Sequence, residues 1–157
     1  MKFLLSLLAL ISLSATANVG DSIRHNFSLN GETGFQEQKV IGSNNQKQSY
    51  NVMDTISFRG VTGTNINIVE AGDLFTQLKA SQILTYCTQI GGVREVALGL
   101  NTCKVTGNEL YSLGLYNLAK TFNADFIWIG NVPVNGIVKA VLTNGLIMTV
   151  KTYNWSK

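Results

Sequence analysis

Histidine occurs once in this chain of 157 residues, as His25, proline once, as Pro133, and cysteine only twice, as Cys87 and Cys103. One imidazole leaves little material for acid–base work near neutral pH. With both cysteines reserved for a disulfide, carboxylates are the only metal ligands left, and they do not stand in EF-hand order. Neither GxxxxGK[ST] nor a strand-coupled GxGxxG is present, so no phosphate cradle is expected. Charged residues make up 13% and the net charge is +3, too little to point to nucleic acid. No apolar run approaches the roughly 20 residues that span a bilayer, so no transmembrane segment is expected in the mature chain. These absences leave no expected cofactor, metal or nucleic-acid partner.

What is present begins with an address. Met1-Lys2, the apolar run Phe3 to Leu13 and the small-residue ending Ser14-Ala15-Thr16-Ala17 form the three regions of a secretory signal peptide. Cleavage is expected after Ala17, leaving residues 18–157 as one domain in the periplasm or outside the cell. No cysteine stands at the cleavage point, which argues against a lipoprotein. Loss of Lys2 lowers the net charge from +3 to +2. Export places Cys87 and Cys103 in an oxidising compartment, where two cysteines have one possible pairing. Closing that loop is worth roughly 3 kcal/mol on the chain-entropy account. A redox pair would want C-x-x-C spacing, which is lacking.

The mature chain opens with β structure. Ile23, His25, Phe27 and Leu29 alternate before the turn signal Asn30-Gly31, and Tyr50, Val52, Ile56 and Phe58 continue the alternation, interrupted at Asp54. Ser43 to Ser49 is polar throughout, and residues 18–50 are expected to be partly flexible. From Leu74 to Ile90 the apolar spacing becomes three or four, with Asp73 as a cap and Gly91 as a terminator, so a helix is expected over 73–90. A short strand, Val93 to Leu98, should follow. Tyr111, Leu115, Leu118 and Phe122 mark a second helix over 108–122, started by Thr106 or Asn108. Phe126 to Ile129 reads as a strand covered on both faces, which makes Trp128 a core residue. The last element is a β-hairpin over 137–153. A type I′ turn at Asn144-Gly145 would set Val141 opposite Met148 and Lys139 opposite Val150. The fold class expected is therefore α+β: a mainly antiparallel sheet, two helices, a C-terminal hairpin and one disulfide.

The segment Asn117-Leu118-Ala119-Lys120-Thr121-Phe122-Asn123-Ala124-Asp125-Phe126-Ile127 is similar to an Asn-x-Ala-x-x-x-x-Ala-(Asp or Asn) helix–strand unit. That unit occurs in small bacterial envelope proteins, among them lipoproteins of the Rcs stress-sensor kind, where a cysteine and a Gly-containing strand precede the helix as Cys87 and Gly91-Gly92 do here. The resemblance spans residues 83–130. It implies a non-enzymatic α+β envelope domain that touches partner proteins. This chain lacks the lipid-attachment cysteine of those proteins.

Catalytic candidates are few. Asp54 breaks an apolar alternation, and an inward carboxylate there would anchor a carboxylate-based exported hydrolase. Asp73 and Glu109 read as helix-start residues and Asp125 as the start of a strand. Tyr153 and Trp155, at the end of the last strand, are candidates for a binding surface. Asn26-Phe27-Ser28 and Asn154-Trp155-Ser156 match the glycosylation triplet, which is meaningful only in a eukaryotic host. The leading expectation is a small exported non-enzymatic binding domain whose partner is another envelope or extracellular protein. An exported hydrolase centred on Asp54 and a secreted toxin or inhibitor are the alternatives.

Overall fold

The computed structural model describes residues 16–44, 46–106, 109 and 124–157. All but the last two residues of the expected signal peptide, and all of the expected second helix except Glu109, lie outside the described residues.

Tight turns build the first half of the sheet. β1 (Ser22–Leu29), β2 (Glu32–Asn44), β3 (Ser49–Phe58) and β4 (Val61–Glu70) follow one another as an antiparallel meander. Leu29 pairs with Glu32 across Asn30 and Gly31, whose φ angles are 51° and 82°; Phe58 pairs with Val61 across Arg59 and Gly60, at 52° and 77°. Two central residues with positive φ make a type I′ turn, whose twist matches that of the strands it joins. After β4 the chain crosses the sheet through a 3-10 turn (Ala71–Asp73) and a short helix, α1 (Gln77–Thr85). It then returns as a second meander: β5 (Val93–Ala97), β6 (Leu100–Val105), β7 (Ala124–Gly130), β8 (Ile137–Leu142) and β9 (Ile147–Asn154). β9 pairs with β1, which joins the two meanders into one nine-stranded sheet of order β4-β3-β2-β1-β9-β8-β7-β6-β5.

The expected α+β class is thereby corrected. The described chain is mostly antiparallel sheet, with one nine-residue α-helix and one 3-10 turn. The helix expected over 73–90 shrinks because Leu74 and Phe75 are extended and buried, and the Phe75 N–H donates to the Val134 carbonyl at 3.0 Å. Thr76, not Asp73, is the cap; its side-chain oxygen accepts from the Lys79 N–H at 3.2 Å. Beyond Tyr86 the chain turns rather than continuing the helix, and Gly91 takes a φ of 88° within that turn.

The last hairpin exists, but its register differs from the expected one by a residue. Val141 lies opposite Ile147 and Lys139 opposite Thr149. The loop holds three residues, Thr143-Asn144-Gly145, and only Gly145 has positive φ, at 83°. Gly145 donates to the Leu142 carbonyl at 2.9 Å, and Leu142 donates to Leu146 at 2.9 Å. This is a turn followed by a left-handed residue, not a type I′ turn. A one-residue shift moves every side chain of β9 to the other face relative to β8.

One face of the sheet carries the core. α1 sets Ala80 and Ile83 against Val105, Ile127, Ile129, Ala140 and Met148, while Leu74, Val132 and Val134 pack on Ile23, Val40, Tyr50 and Val52. Gly136, at φ 72°, lies flat against the Phe75 ring, where a Cβ would overlap the ring carbons. The Cys87–Cys103 disulfide is formed, with a Cα–Cα distance of 5.6 Å, and fastens the turn after α1 to β6.

Candidate functional site

The face opposite α1 is organised by register. Adjacent pairings place Val93, Lys104, Trp128, Lys139, Thr149, Asn26, Phe35, Ser57 and Thr62 in one row that crosses all nine strands. Within β7, Ile127 and Ile129 point toward the core, whereas Phe126 and Trp128 point away from it. The reading of β7 as a strand covered on both faces holds for Ile127, Trp128 and Ile129, which are buried, and fails at Phe126, which is 40% exposed.

Trp128 is nevertheless only 7% exposed, because polar side chains cover it. The Lys139 ammonium lies 4.6 Å and that of Lys104 5.1 Å from its ring centroid. Lys104 also sits 4.4 Å from the centroid of Phe126, which is 40% exposed. The indole N–H donates to Glu95 Oε1. Each ammonium is held over a ring face by the ring quadrupole and keeps its outer side toward water. Farther along the same face the Arg24 guanidinium stacks 3.8 Å from the centroid of Phe35 and lies 3.6 Å from Glu37. Arg24, Lys39, Lys104 and Lys139 thus share this face with Glu37 and Glu95, and with Glu70 at the far end of β4, and the cations are concentrated over the aromatic rings. A cleft of about 560 Å³ continues the face toward the hairpin tips, lined by Asn26, Ser28, Phe35, Ser57 and Ile147 among others.

The residues singled out from sequence do not gather here. Asp54 projects from the core side of β3, and its two oxygens accept from Gln36 Nε2 at 3.0 and 3.1 Å. Its direct strand partners are Gln38 and Asn65, and its pairing is regular, without a bulge. His25 is fully buried on β1, with Nε2 2.8 Å from the Ile137 carbonyl oxygen. Tyr153 is 43% exposed; Trp155, partly buried, donates its indole N–H to the Asn131 carbonyl at 3.4 Å. They lie at the end of β9, away from the lysine row. Among the described residues, no three His, Cys, Asp or Glu side chains converge as metal ligands would, and no helix is long and apolar enough to cross a membrane.

Sequence reading missed the Lys104–Trp128–Lys139 row, although a signal existed. In Phe126-Ile127-Trp128-Ile129 the aromatic residues occupy even positions and the isoleucines odd ones, a segregation that a count of apolar residues hides. Comparison with known proteins adds nothing to this geometry: no protein-family model, no curated protein and no solved structure matches the chain.

Proposed function

We propose that the chain is an exported, non-enzymatic binding domain, secreted or periplasmic, whose outer sheet face docks on an acidic surface of another envelope or extracellular protein. The signal-peptide pattern at residues 1–17 and the disulfide support export. The observation that carries the binding role is the Lys104–Trp128–Lys139 row. Two ammonium groups are positioned over one indole on a solvent-facing strand surface, where neither serves the core. Such a surface offers fixed positive charge beside the exposed Phe126 ring, which selects a partner by electrostatic complementarity and speeds its approach. The amide side chains around Asp54, rather than a second carboxylate at its strand-pairing positions, support binding over hydrolysis.

A photo-crosslinking amino acid placed at Phe126 in the full chain, expressed in its own host, tests this reading. One dominant protein adduct is expected, and Lys104→Glu with Lys139→Glu should lower its yield about tenfold or more, as loss of complementary charge requires. Failure to form an adduct, or an adduct insensitive to the charge reversal, would reject the proposal.

A further inference from the structure

The two edges of the sheet are built differently. β5 is five residues long and carries Arg94 and Glu95, charges of both signs that discourage strand pairing. β4 is ten residues long, pairs with β3 without a bulge, and bears no ionisable side chain before Glu70. It also contains no proline or lysine, and its Ile66 and Ile68 are 63% and 79% exposed. Among the described residues, β4 has neither the proline, the bulge nor the mid-strand charge that commonly blunts a sheet edge.

We propose that β4 pairs edge to edge with β4 of a second copy, antiparallel about a two-fold axis passing beside Asn67. The occupant must be a strand, because what an edge presents is a row of backbone donors and acceptors. Self-pairing is specified by the side chains. A two-fold axis normal to the sheet keeps corresponding faces on the same side, so opposed residues have the same parity. In the register centred on Asn67, Ile66 of each copy meets Ile68 of the other, and Asn67 meets Asn67. Glu70, the only charge on β4, faces Thr64, so no like charges are opposed. Centring on Ile68 instead would set Ile66 against Glu70, and centring on Ile66 would leave Ile68 against Thr64. Only the Asn67 register satisfies both isoleucines. The pairing extends the outer face through both copies and presents its cationic row twice.

Sedimentation velocity of the mature chain over a wide concentration range tests the pairing. A monomer–dimer equilibrium is expected, with Ile66→Lys or Ile68→Lys raising the dissociation constant at least tenfold. Both positions are exposed in the single chain, so at concentrations where the wild type is monomeric thermal unfolding should be unchanged and confirm that these variants fold, and the wild type should gain stability over them only as concentration rises. Under mild oxidation Asn67→Cys should form a covalent dimer, whereas Asn65→Cys, which faces Val69 of the other copy, should not. The double variant Lys104→Glu with Lys139→Glu should dimerise normally, which separates this inference from the proposed function. A wild-type monomer at every concentration, association indifferent to Ile66→Lys, equal crosslinking through Asn65→Cys, or open-ended polymers in place of a dimer would each overturn it.

Discussion

His25 occupies a position that favours the neutral imidazole over the charged one. The Ile137 carbonyl oxygen can only accept, so Nε2 carries the proton, and Nδ1 is buried with no hydrogen-bond partner among the described residues. Protonation would put a charge and an unmet N–H into that site. Burial lowers the pKa below 6.5 more strongly than the Ile137 hydrogen bond raises it. The folded state therefore binds this proton less readily than the unfolded chain. The stability that His25 contributes is complete above about pH 6.5 and is lost as pH falls toward the folded-state pKa. Urea unfolding should show a midpoint that drops between about pH 7.5 and 5.5 in the wild type and drops less in His25→Gln. An equal slope in both would refute the assignment. Alternation in β1 was enough to put His25 on the same side as Ile23 and Phe27. The absence of a partner for Nδ1 depends on packing from other strands, which no local pattern encodes. Trp128 is the complementary case: its strand was legible, while its cover consists of lysines from the two neighbouring strands.

At the scale of elements, the disulfide compensates for a weak helix. α1 has nine residues, below the length at which isolated helices are stable in water, so its order must come from contacts with the sheet. Ala80 and Ile83 supply some of these, and the Cys87–Cys103 bond holds the turn that follows against β6. Reduction, or Cys87→Ala with Cys103→Ala, is expected to lower unfolding free energy by roughly 3 kcal/mol. Urea denaturation would measure it, and a change below about 1 kcal/mol would show that the bond constrains little. The pairing was readable because two cysteines permit only one connectivity. The helix boundaries were not, because the three-to-four spacing that begins at Leu74 includes residues whose backbone is extended toward Val134. In the last hairpin, Asn144-Gly145 marked the turn correctly, yet whether two or three residues form the loop is decided by the strands on either side.

For the whole molecule the critical seam is β1 against β9, where distant parts of the chain meet at the centre of the sheet. Asp21 fastens one end of it. Its Oδ2 accepts from the Asn18 N–H at 3.0 Å, and its Oδ1 accepts from the Ser156 N–H at 2.8 Å and the Ser156 hydroxyl at 2.9 Å. Asp21 is 1% exposed, so removing the carboxylate leaves these partly buried donors without their acceptor. Asp21→Ala should cost about 2 kcal/mol in urea unfolding, and Asp21→Asn, which retains one acceptor oxygen, should cost less. Equal stability of Asp21→Ala and the wild type would remove Asp21 from this role.

The sequence by itself determined the strand-rich character of the chain before residue 70, the turn at Asn30-Gly31, the existence of the final hairpin and the disulfide pair. Each is encoded locally, by alternation, by the positive φ that glycine and asparagine tolerate, or by a count that admits one answer. Tertiary structure alone decided that two meanders join through β9 and β1, that β4 is left at an edge, and that Trp128 lies beneath two lysines. Those outcomes depend on which strands become neighbours and in what register. Side chains far apart in the chain set that choice by burying one common face, and a short stretch of sequence carries no record of it.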